Sequence, residues 1–241
     1  MHLFLTTVLT IFVCLPTPSL AQFGDLFEGL KQFGMPSESG LREEKIVSGL
    51  KEALLVGTEH AVQLTGTVDG YLKNEAIKIL LPERLQAMDQ ALRMVGFGPQ
   101  VDEFVTSMNR AAERAVPLAK PIFEDAIRQM SFEDAKAIWQ GGETAATEYF
   151  QAKTRDRLAQ AFKPVVEQTM SEVGVAARYK QLMAQYTALP FVNAESFDLD
   201  QYVVGKTLDG LFYVLAQEER KIRTDPTARV TDLLQEVFGR R

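Results

Sequence analysis

Seven side chains of this sequence make up a candidate polar site: Glu219, Asp209, Glu59, Glu113, Asn109, Arg110 and Arg223. Two carboxylates held in one cleft can act as general acid and base. Glu219 is the first suspect. On a helical wheel centred on Leu208 it falls at about 20°, inside an apolar stripe. A carboxylate there must be paired, protonated, or close enough to the helix end to reach water. Arg223 follows it at i+4, the favourable orientation for an ion pair. The plainer expectation is that the stripe ends at Leu215 and that Glu218-Glu219-Arg220-Lys221 is solvated, since acidic residues are rarely fully buried. The sharper alternative is a carboxylate inside the bundle, facing a cavity or a buried cation. Asp209, Glu59 and Glu113 are the next suspects. Acid–base chemistry needs at least two of the four to share a cleft. If each meets a Lys or Arg instead, with Arg110 and Arg223 the obvious partners, the pairs are structural.

Other chemistry is sparse. After residue 21 there is one histidine, His60, and no cysteine. A ferritin-like di-metal site needs Glu-x-x-His on two helices, and Gly57 stands three before His60. No metal and no other cofactor is expected. A nucleophile triad would rest on His60 alone. Gly141-Gly142 lacks the Gly-Lys-Ser/Thr of a phosphate loop. It precedes a helix start that could receive an anion, but a helix stop followed by a new start explains it as well. Paired carboxylates also occur by chance in a chain with 32 acidic residues.

The elements that carry these side chains read as helices. The segment 205–226 forms the centre, with Val204, Leu211, Phe212, Leu215 and Ile222 within about 60° of Leu208, and Tyr213 and Val214 on the other side. A helix apolar nearly all round is buried in a larger helical protein. Asp225-Pro226 ends it, because the residue before proline is pushed out of the α region. Upstream, residues 41–65 form a long helix with Val47, Leu50, Leu54 and Ala61 on one face, capped by Ser37 or Ser39. Residues 66–82 are the least helical. Asp69-Gly70 signals a turn there, and residues 77–81 can be extended without forming a sheet. A helix over 83–95 stops at Gly96-Phe97-Gly98.

Pro99 opens the next helix. Its clean face is Val101, Phe104, Val105, Met108, Ala112 and Ala115, with Asp102, Asn109 and Glu113 along one edge. Pro117 interrupts this pattern and Pro121 opens a helix to Met130. Ser131 and Asp134 read as a capping box. Glu143 begins a helix that Pro164 kinks or breaks. Further helices are expected over 165–173, 175–189 and 227–238. The whole is an all-α, single multi-helix domain of about eight to ten helices around a central C-terminal helix over 198–223.

Residues 1–21 stand apart. Leu3 to Leu15 is apolar and uncharged, and Ser19-Leu20-Ala21 places small residues before a cut. This pattern predicts a secretory signal peptide cleaved after Ala21, although only His2 stands where a basic residue is usual. The run is too short for a transmembrane helix. Phe12-Val13 before Cys14 argues against a lipid-modified cysteine. Residues 22–39 form an amphipathic helix and linker, with Phe23, Leu26, Phe27, Leu30 and Phe33 at helical spacing. Residues 40–241 form the helical domain. The net charge of −6 gives no support to nucleic-acid binding.

Several short stretches carry a resemblance. They are Gly57-Thr58-Glu59, the run Met108 to Glu113, Ala119 to Phe123, Ala145-Ala146-Thr147, Tyr149-Phe150, Leu208 to Phe212, Glu218-Glu219, Ile222-Arg223 and Asp225-Pro226. Together they resemble an exported bacterial family, domain of unknown function 4197, from about residue 40 to the C-terminus. The resemblance implies a periplasmic protein and brings no activity, cofactor or established site. Two functional readings follow. The first is a periplasmic binding or protein-interaction module whose partner is a protein or an apolar small molecule between helices. The second is an enzyme using buried carboxylates. A homodimer is left open.

Overall fold

The computed structural model describes residues 38–172 and 198–225, together with Gln181 and Ala184. The chain divides into two units, Met1–Glu44 and Lys45–Arg241. The described residues of the first are the opening turns of one helix, and the packing and sites below belong to the second. The architecture is all-α, with no strand among the described residues. Helix α1 spans Glu38–Gly66, α2 Gln86–Met94, α3 Gly98–Ala115, α4 Ala119–Gln129, α5 Phe132–Gln140, α6 Ala145–Glu172 and α7 Leu199–Thr224. Short 3₁₀ turns at Glu83–Leu85 and Val116–Leu118 lead into α2 and α4.

Among the described residues this is fewer than the eight to ten helices expected. One reason is physical. Pro164 does not divide α6, which runs unbroken through it. An interior proline frees the carbonyl four residues earlier. Here that residue, Gln160, and Pro164 are both exposed, so water can take the freed group. The helices expected over 22–33, 175–189 and 227–238, and the signal peptide expected over 1–21, lie outside the described residues.

The helix boundaries follow local chemistry. Ser131 Oγ accepts the Asp134 N–H at 3.0 Å, and Asp134 accepts the Ser131 N–H at 3.1 Å, which completes the predicted capping box of α5. Gly96, at φ +92°, supplies the left-handed residue between α2 and α3. Pro99 sits in the first turn of α3, where its missing N–H costs nothing. Pro117 confines the α3–α4 junction to a 3₁₀ turn, and α4 starts at Ala119, two residues before the Pro121 expected to open it. Likewise α6 starts at Ala145 and not Glu143. Ser39 lies inside α1 and cannot cap it, while Ser37 lies outside the described residues. Asp198 caps α7 by accepting the Gln201 N–H at 2.9 Å, and α7 ends at Thr224 with Asp225 extended before Pro226.

Helix α7 packs most extensively along α6 and also against α3, while α6, and not α7 alone as expected, is the helix shared by α3, α4, α5 and α7. Phe123 of α4 meets Phe150 of α6 and Phe212 of α7 edge-on, at ring-centroid distances of 5.2 and 6.2 Å. Edge-to-face geometry sets the positive ring edge on the negative face. α7 is not apolar all round, however. Lys206, Asp209 and Tyr213 form a solvent-facing stripe, and the exposed Tyr213 corrects its expected burial. Gly210 faces inward, where an added Cβ would stand 2.6 Å from Tyr71 Cε1. Its missing side chain lets the 67–82 segment lie against α7. No helix of the described residues is long and apolar enough to cross a membrane.

Candidate functional site

Glu219 is buried in the bundle, and so is Glu218, which overturns the expectation of a solvated run from 218 to 221. The apolar stripe of α7 continues past Leu215 to Ile222, and this turns both carboxylates inward. Glu219 then makes an unusual set of bonds. Its Oε1 accepts the Ala146 N–H at 2.9 Å, and its Oε2 accepts the Thr147 N–H at 2.8 Å and the Thr147 hydroxyl at 2.9 Å. Arg223, one turn later, donates to Oε1 through Nε at 3.0 Å and Nη2 at 2.8 Å. Nη2 also donates to the Ile138 carbonyl at the end of α5, at 2.9 Å.

The reason lies in the start of α6. The first N–H groups of a helix have no partner within it, and the aligned peptide dipoles favour a negative charge there. α6 begins at Ala145, with two residues between it and Gly141-Gly142, and the anion that its N-terminus receives is the chain's own Glu219. Arg223 neutralises the charge; both side chains are 7% exposed. One latch therefore joins α5, α6 and α7. Beside it lies a cavity of about 30 Å³ with mainly apolar walls from α1, α6 and α7, including Gly57, Phe150 and Leu215. That is room for a water molecule or two and not for an organic ligand.

Asn109, Arg110 and Glu113 of α3 come together elsewhere, against the non-helical segment after α1. Glu113, 3% exposed, accepts the Tyr71 N–H at 3.1 Å and the Leu72 N–H at 3.2 Å. Arg110 bridges Glu113 and Asp69, at 2.6 Å to each. Asp69 holds φ at +71°, in the predicted turn before Gly70. Lys73 and Arg110 hold the Asp69 carboxyl below the usual carboxylate range. Asn109 is fully buried, and its amide meets Ile79 in both directions. It accepts the Ile79 N–H at 2.8 Å and donates to the Ile79 carbonyl at 2.8 Å. Tyr71 completes the anchorage by donating its hydroxyl to the Thr207 carbonyl of α7 at 2.6 Å. A buried irregular backbone must find partners for its polar groups, and these side chains supply them.

The two remaining suspects lie at the surface. Glu59 meets Lys120 at 2.6 Å, and Asp209 meets Arg155 at 2.8 Å. The four candidate carboxylates thus enter four separate pairings, each with a cation. Glu219 alone of the four lines the cavity beside the latch. His60 is half-exposed and bonds through Nδ1 to Glu218 Oε2 at 2.5 Å, while Lys221 bonds to Glu218 Oε1 at 2.6 Å. Burial pushes the Glu218 carboxyl up, but the bonds to Lys221 and His60 outweigh it and hold it below its usual range. Among the described residues no group of three or more His, Cys, Asp or Glu could hold a metal.

Residues 40–239 match one family model, described as a protein of unknown function, DUF4197. The chain belongs to the DUF4197 family. No curated protein and no solved structure matches it. The polar residues of this DUF4197 chain therefore have to be read from their geometry. Sequence reasoning picked out Glu219 and Arg223 but missed Ala146 and Thr147, whose part is played mainly by backbone N–H groups. It also missed that Asn109, Arg110 and Glu113 serve the 69–79 segment. The available signal was three polar residues along the edge of an apolar helix face, after a long stretch with no helix of its own to bond its backbone.

Proposed function

We propose that this DUF4197 protein is an exported, periplasmic helical module that works by contacting another protein. The observation that carries this reading is the closure of its interior. Met108, Phe123, Phe212 and Leu215, the side chains that would line a ligand cavity between helices, are all 4% exposed or less. The cavity that Leu215 does touch is water-sized. Apolar side chains stand in solvent instead, most of all at the α2–α3 corner, where Met94 is 82% and Val95 53% exposed. Contact sites are built on contiguous exposed apolar surface, and these two neighbours are where this reading places one. The export signal over 1–21 supports the periplasmic assignment. The enzyme alternative loses its support, because its four carboxylates are each matched by a cation and do not share a cleft.

The test is photo-crosslinking in cells with a benzophenone amino acid at position 94, and at the exposed Glu133 of α5 as control. One dominant protein adduct is expected at position 94, absent at 133. The Val95→Asp variant should lose the copurifying partner with an unchanged melting temperature. A stoichiometric apolar molecule in native mass spectra of the purified protein, or equal crosslinking at both positions, would overturn the reading.

A further inference from the structure

A second feature is independent of that corner contact. A cleft of about 270 Å³ opens between the extended stretch 78–81, α2 and α3. Its lining combines charged and amide side chains with Leu80, Leu81 and Val105. Arg93 forks between Asp89 at 2.6 Å and Asp102 at 2.7 Å, so this trio carries one negative charge more than it cancels. Lys78 lines the same cleft, half-buried, and pairs with no carboxylate among the described residues. Gln86 and Gln90, one turn apart on α2, line it as well, and their side-chain amides have no partner there. The cleft therefore holds an unmatched positive charge and, apart from it, an unmatched negative one.

The walls are fixed before any ligand arrives. Asn109 bonds both polar groups of Ile79, and the Tyr202 hydroxyl donates to the Leu80 carbonyl at 2.8 Å, so the 78–81 backbone is held from α3 and from α7. Prior fixing of this kind lowers the ordering cost of binding. We propose that the cleft binds a small zwitterion, a free α-amino acid. Lys78 takes its carboxylate, the surplus charge of the Asp89–Arg93–Asp102 trio takes its ammonium group, and Gln86 and Gln90 bond its polar side chain. The size agrees, since the volume lies just below the range of sites for larger metabolites.

The test is a titration of the full-length mature protein with L-alanine, L-serine and L-glutamine, followed by backbone amide NMR. Saturable shifts confined to residues 78–93 and 102 are expected, with a Kd below about 1 mM for at least one of the three. N-acetyl-L-glutamine lacks the ammonium group and L-glutamine methyl ester lacks the carboxylate. Each should bind at least about tenfold more weakly than L-glutamine. Lys78→Met and Asp102→Asn, both away from the core, should each weaken binding by about tenfold or more while the rest of the spectrum is unchanged. The absence of saturable shifts with all three amino acids, or equal binding of the blocked derivatives, overturns the proposal. Neither result bears on the protein contact at Met94 and Val95.

Discussion

Replacing Glu219 by glutamine keeps the size of the side chain and removes its charge. The change falls on a carboxylate that accepts two backbone N–H groups, a hydroxyl and an arginine, all away from solvent. A glutamine keeps one acceptor oxygen. Its NH₂ group must face either the Thr147 donors or the Ala146 and Arg223 donors. At least one buried N–H then loses its acceptor, and Arg223 stays buried without a counter-charge. Removing one partner of a buried ion pair costs about 3–5 kcal/mol. The low exposure of both groups means little of this is screened. With a urea m-value of about 3 kcal/mol/M, the unfolding midpoint should fall by about 1 M or more. Urea titration followed by circular dichroism at the helix band measures it. A double variant, Glu219→Gln with Arg223→Gln, removes the stranded charge and should cost less than the sum of the two single changes by more than about 1 kcal/mol. A loss below about 1 kcal/mol for Glu219→Gln, or plain additivity in the double variant, would refute the account of the latch as a buried, neutralised helix cap.

Other expectations follow from the same geometry. Asn109→Leu strands both polar groups of Ile79 and should cost about 2–4 kcal/mol, with faster amide hydrogen exchange at residue 79. Gly210→Ala drives a methyl group into Tyr71 and should lower the melting temperature, by about 1–3 kcal/mol of stability. Gly205→Ala, also on α7 but with open space around it, should raise stability by about 0.5–1 kcal/mol. The Glu218 carboxyl is held below its ordinary value in the folded state, so the unfolded chain binds its proton first as pH falls. Its stabilising contribution is present above about pH 4.5 and fades as pH drops through the depressed folded value. Stability measured from pH 6 to pH 3 should fall less steeply in Glu218→Gln than in the unmodified protein.

Apolar spacing alone revealed much of this fold. The faces of α1 and α3 and the inward side of α7 recur at helical intervals, and Gly96, Pro99 and Ser131 mark boundaries through their own backbone chemistry. Pro164 does not break α6, since Gln160 and Pro164 face water that can take the freed carbonyl, and sequence does not show which side faces water. Glu219 was half legible. Its place in the stripe and the arginine at i+4 are visible in one dimension. Its partners Ala146 and Thr147 are 73 and 72 residues away and use backbone N–H groups, which carry no letter in the sequence. Asn109 and Glu113 read as edge polar residues for the same reason. Their role depends on a neighbouring segment whose backbone lacks partners, which only the folded arrangement discloses.

The distance along the chain between Glu219 and the helix start that it caps also sets an order of events. A chain emerging from its N-terminus makes all of α6 before residue 219 exists. Until then the opening N–H groups of α6 bond water, and Phe123 and Phe150 lack the aromatic ring that Phe212 brings. Domains settle as units once their parts are available, and here the closing part is made after the elements it closes. The unfinished chain is thus held back from its final packing by its own layout, and completion of α7 delivers the core ring and the α6 cap in a single step.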